Sequence, residues 1–133
     1  MPGRTERLSK ERYRVYLERA IGLNKTMESA MRSGESHGAA LSAVHSAIAV
    51  SDALSVFYLG ERARAQDHRE VLALVNRLPV AGAAEQARHL SSILGWKTET
   101  EYGSSRLTAR ETERLVAQAR RFVKWATENL PSP

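Results

Sequence analysis

The side chains best suited to proton chemistry cluster near the middle of this sequence: His45, Asp52 and His68, with Arg62, Arg64 and Arg69 among them. An imidazole exchanges a proton near neutral pH, and a guanidinium stabilises charge developing on an oxygen. Asp52 follows His45 by seven residues, so a helix through both puts them on one face. Their neighbours are almost all apolar, and a carboxylate there needs a donor or a cation. Two readings follow: an acid–base or ligand-orienting carboxylate beside His68, or a polar tie to an Arg, a Tyr or a helix terminus that fixes packing. His45 divides the same way, between a ligand and a satisfied core or interface histidine. A metal site built from His45, Asp52 and His68 would lack any recognised zinc-ligand spacing, so no metal is expected. With no cysteine, thiolate chemistry and disulfides are excluded. There is no phosphate-binding glycine loop and no Ser–His–Asp order, and no cofactor is expected.

A second group of residues suits binding rather than catalysis. The net charge is +5, from 20 Lys and Arg against 15 Asp and Glu, and 16 of the 20 are Arg. The excess sits at the two ends: residues 1–14 carry +3 and residues 106–124 carry +4. At about 100° per residue, Arg110, Arg114, Arg121 and Lys124 fall in one narrow stripe opposite the apolar face of the last helix. Ala117 lies within the stripe, Glu113 at its edge, and Glu128 is the first acid inside it. Such a stripe can follow phosphates, with Arg64 and Arg69 as further nucleic-acid-binding candidates, or can be a solvated helix face. Trp96 and Trp125 are candidates for stacking on bases, although Trp125 borders Phe122 and suits a helix boundary as well.

The elements that would position these groups read as helices. Apolar residues recur at steps of three and four, and no block alternates like a strand, so strands are not expected. The first helix is read over 9–31, with Ser9 as cap and Gly34 as stop. The second runs from Ser36 to Gly60, apolar nearly all round, which marks the central helix of a bundle. A charged connector, 61–66, leads to a third helix over 67–77, capped by Asp67 and ended by Pro79. A fourth covers 81–94 and stops at Gly95, and residues 96–106 are polar and partly helical around 97–102. The last helix opens on a Thr108/Glu111 capping box and closes before Pro131. The expectation is a single all-α domain over 1–133, with its core at about 9–130, built as an up-and-down bundle of four to five helices.

Length and composition agree with that. At 133 residues, 42% hydrophobic and 26% charged, the chain suits one soluble domain and not a disordered segment. The longest uncharged stretch, Ser36 to Ser51, contains two histidines and five serines or glycines, so no membrane span is expected. The amino-terminal residues alternate in charge and show no apolar signal core, which makes a cytoplasmic location the expectation.

The order of these pieces resembles the HEPN-domain proteins of bacteria. The resemblance rests on His45-Ser-Ala-Ile-Ala-Val-Ser-Asp-Ala-Leu54, on Tyr58-Leu-Gly60, and on Gln66-Asp67-His68-Arg-Glu70. It continues through Lys97, Tyr102-Gly103 and Ala119-Arg-Arg-Phe122-Val-Lys-Trp125, and so covers about residues 10–130. It implies a four- or five-helix bundle that dimerises, with RNA or a nucleotide as ligand. It also implies a place in a toxin–antitoxin or defence pair, with a nucleotidyltransferase or antitoxin as partner. It would set Tyr102 at the entrance to the last helix, bonded to Asp52 or His68. Active members of the family are metal-independent ribonucleases that carry an Arg, four to six residues, and a His. Arg62 and His68 match that spacing, as do Arg32 and His37, and the first pair lies in the best-matching segment. His68 would then move the protons and Arg62 would stabilise the pentavalent phosphate. Where the family's motif would fall, residues 95–102 hold neither His nor Arg. The expectation is therefore a binding or interaction module, with a ribonuclease or a purely structural dimer as alternatives.

Overall fold

The computed structural model describes residues 5–64, 67–97, 100, 103 and 107–133. Among these it has five α-helices: α1 (Tyr13–Arg32), α2 (Ser36–Leu59), α3 (His68–Asn76), α4 (Ala83–Leu94) and α5 (Ala109–Glu128). A short 3-10 turn, Lys10–Arg12, precedes α1. The protein is mostly helical, as expected, with one addition. Thr5–Arg7 forms a strand, β1, that pairs antiparallel with β2, Glu61–Ala63. Glu6 stands opposite Arg62 in that register. Three residues per strand are too few for alternation to show in a sequence, and Thr5–Arg7 holds no apolar residue to mark it. Secondary structure among the described residues therefore starts ahead of the expected helix cap, and residues 61–63 of the charged connector form one strand of the ladder.

α2 is the centre of the molecule. It packs most extensively on α1, then on α5, and also meets α3 and α4. It is long and apolar enough to cross a membrane, but 83% of its apolar window is buried within the fold, as in the core helix of a soluble protein. Ala39, Ala40, Ala43, Ala47 and Ala53 are fully buried and let its neighbours approach closely. Three of the buried serines on this helix, Ser46, Ser51 and Ser55, satisfy their hydroxyls by bonding back to their own turn. Ser46 Oγ donates to the Ala43 carbonyl at 2.9 Å, and Ser51 Oγ to the Ala47 carbonyl at 2.8 Å. Around α2 lie Leu17, Ala20 and Met27 of α1, Leu74 and Val75 of α3, Leu90 and Ile93 of α4, and Leu115, Val116, Ala119 and Phe122 of α5.

The helix ends follow local rules. Gly60 closes α2 with φ 68°, and its N–H returns to the Val56 carbonyl. Asp67 Oδ1 accepts from the N–H groups of Arg69 and Glu70 at the start of α3. Thr108 and Glu111 form the reciprocal capping box of α5, at 3.0 and 2.8 Å.

Candidate functional site

Two of the polar residues singled out in the sequence meet in the structure. Asp52 lies on the inner side of α2, 6% exposed, and the Arg62 Nη2 on β2 reaches its Oδ2 at 3.4 Å. Arg62 Nη1 donates to Glu6 Oε1 on β1 at 2.9 Å. The guanidinium also lies over the ring of Tyr16 on α1, 4.8 Å from its centroid. One arginine thus joins four elements: β1, α1, α2 and β2.

The surrounding strand pair holds this arrangement in register. The Leu8 N–H donates to the Gly60 carbonyl at 2.9 Å, Thr5 Oγ1 donates to Glu61 Oε1 at 2.8 Å, and Arg64 Nε donates to the Thr5 carbonyl at 3.1 Å. Lys10 adds a cation over the Phe57 ring, 4.3 Å from its centroid. Burial pushes the Asp52 carboxyl up from 3.8 to about 6, against the opposing pull of Arg62. Burial alone would lower Arg62, but the carboxylates of Asp52 and Glu6 together hold its pKa above the ordinary value, so it stays charged. Its Nε is buried and has no acceptor among the described residues.

This geometry bears on each candidate role. Asp52 has the arginine tie that was one of its two readings. The Arg62 guanidinium is committed to Asp52, Glu6 and Tyr16, an internal clamp in which both carboxylates offset its charge. His68 opens α3 and is half-buried, and His45 is half-buried on α2. Tyr102, expected at the entrance to the last helix, lies outside the described residues. Arg64 is exposed with its Nε on the strand backbone, and Arg69 is exposed in the first turn of α3. Among the described residues no three His, Asp or Glu side chains are grouped so as to hold a metal ion. Glu6 and Tyr16 were not legible as site residues, the first because its strand is so short, the second because it reads as one more apolar position on α1.

The basic stripe is present as an open surface. Arg110, Arg114, Arg121 and Lys124 are all exposed on α5, and none forms an ion pair among the described residues. Arg120, next to the stripe, differs: it makes a bidentate bridge to Glu28 of α1, at 2.6 and 2.7 Å. Trp125 takes the boundary role, half-buried, with its Nε1 donating to the Ala81 carbonyl at 3.3 Å and its ring 5.8 Å from that of Phe122. Val15 is the one large hydrophobic side chain well exposed among the described residues, at 40%. In comparisons with known proteins, no protein-family model and no curated protein matches this chain.

Proposed function

We propose that this chain is a non-catalytic helical module, of HEPN type, that binds RNA through α5. The observation that carries the reading is the stripe of Arg110, Arg114, Arg121 and Lys124, exposed and without acidic partners among the described residues, on one side of one helix. The commitment of Arg62 to Asp52 and Glu6 supports binding over cleavage, because a transition-state stabiliser must be free to meet a phosphate. On this reading the protein is a cytoplasmic homodimer and the helical partner of a toxin–antitoxin or defence pair. With so few exposed apolar side chains, the dimer contact would be largely polar.

Fluorescence anisotropy of labelled RNA tests this between about 50 and 200 mM salt. Four phosphate contacts to a single strand correspond to a log–log slope of about −3. The double reversal Arg114→Glu/Arg121→Glu is expected to weaken binding at least about tenfold. Unchanged affinity in that variant would remove α5 as the binding surface. Incubating the RNA with chelator tests the catalytic alternative: cleavage that His68→Ala abolishes would overturn the non-catalytic reading. Light scattering should give twice the 14.8 kDa chain mass.

A further inference from the structure

The stripe on α5 runs into a groove. At its carboxy-terminal end α5 faces α1 across a cavity of about 340 Å3, lined by Ile21, Asn24 and Lys25 of α1 and by Arg120, Val123 and Lys124 of α5. Val123 is buried and Ile21 half-buried, so the deeper part is apolar, whereas Lys25 and Lys124 are exposed at the rim. Arg120 contributes no free charge, because its bidentate bridge to Glu28 cancels it, and that bridge braces α1 against α5. The groove therefore presents two lysine cations over an apolar floor. Asn24 adds an amide whose buried Oδ1 has no donor among the described residues. That oxygen is closed to the groove, but the same side chain carries two N–H donors.

A duplex laid on α5 would meet the exposed stripe with its phosphates and leave this groove empty. A single strand can do more, since an unpaired base is free to turn into it. The volume falls within the range of small-ligand sites, about 300–1,000 Å3. An apolar floor accepts the faces of a base, an amide can hydrogen-bond its edge, and two rim lysines hold the flanking phosphates. We infer that the α1–α5 groove takes one unpaired nucleotide of a single strand whose adjoining phosphates follow α5, so that the protein prefers single-stranded RNA to duplex. The inference rests on the RNA-binding reading and adds the form of nucleic acid to it.

The test compares a short labelled single-stranded RNA with a duplex of the same sequence, using the full chain. The expected result is about tenfold tighter binding of the single strand. Lys25→Glu and, separately, Asn24→Leu should each weaken the single strand more than the duplex and so reduce that preference to within about twofold. Lys25 is exposed, so its variant is expected to fold, and helical circular dichroism checks both. Equal affinity for the two forms, or a preference that survives both substitutions, overturns the groove and leaves the stripe standing. No binding of either form, or binding indifferent to Arg114→Glu/Arg121→Glu, overturns the RNA-binding reading and the groove with it.

Discussion

The carboxylate of Asp52, buried in the middle of the central helix, and the guanidinium of Arg62, three residues past the end of that helix, sit 3.4 Å apart. The chain between them turns at Gly60 and runs back as β2, which brings the arginine over the helix it has just left. Glu6 and Tyr16 close the other sides of the guanidinium. The pair ties the amino-terminal strand, α1 and the α2–α3 connection into one unit.

Asp52 gives stability an unusual pH dependence. Its folded pKa of about 6 lies above the ordinary 3.8, so the folded chain binds more protons than the unfolded one between those values. Its contribution is full below about pH 4 and is lost as pH rises through about 6. Asp52→Asn lacks this dependence. Relative to the parent, the variant should therefore gain about 2 kcal/mol between about pH 4 and pH 7. Urea midpoints at the two pH values measure it, and parallel profiles would show that Asp52 is not buried as a carboxylate.

Arg62→Met leaves that carboxylate without its cation. Near neutral pH the cost should be about 3–5 kcal/mol, the usual penalty for breaking a buried pair on one side. It should shrink near pH 5, where Asp52 is largely protonated. Glu6→Gln, on the more exposed side of the same arginine, should cost no more than about 1 kcal/mol. A double-mutant cycle of Arg62→Met with Asp52→Asn reports the coupling directly. A coupling indistinguishable from zero would mean the two side chains do not interact in solution.

Two glycines should respond to alanine in opposite directions. Gly22 lies in the interior of α1, and an added Cβ there meets nothing within 4 Å. Gly22→Ala should stabilise by up to about 1 kcal/mol through helix propensity alone. Gly60 has φ 68°, and although the nearest atom to an added Cβ is the Leu8 carbonyl oxygen at 3.6 Å, the backbone itself resists. Gly60→Ala should cost about 1 kcal/mol. Thermal melts of both variants decide it, and a shift of the same sign in each would contradict the assigned turn.

The Glu28–Arg120 bridge is short but lies near solvent, with side-chain exposures of 31% and 47%. The hydrogen bond to Arg120 lowers the Glu28 pKa, so its contribution is present at neutral pH and is lost on acidification through the lowered value. Arg120→Met should cost at most about 1 kcal/mol at low salt and less as salt increases. Denaturant midpoints at two ionic strengths test this. A large, salt-independent loss would mean the bridge is effectively buried.

How far the sequence could be read depended on how far each signal reached along the chain. Helix periodicity is local and repeated, so the five described helices fall close to where the spacing put them, with Asp67 and Thr108 capping as their side chains predict. The α-helix of α1 begins at Tyr13 and not directly after Ser9, because a short 3-10 turn follows Ser9. Trp125 was legible as a boundary residue from its position beside Phe122. The Asp52 tie could be foreseen in kind, since a carboxylate on an apolar helix needs a cation, but with 16 arginines in the chain nothing local chose among them.

The sequence by itself determined the helical class, the central place of α2 and the basic stripe on α5, because each follows from residue types repeating at the period of one helix. Only the tertiary structure decided that Glu6 faces Arg62 across a strand pair, that Arg62 is committed to Asp52, and that α1 and α5 leave a groove between Lys25 and Lys124. Those relations join residues far apart in the chain: 10 positions for Asp52 and Arg62, 56 for Glu6 and Arg62, and more still for Lys25 and Lys124. They depend on how the helices pack and where the chain turns, which no single helical period records.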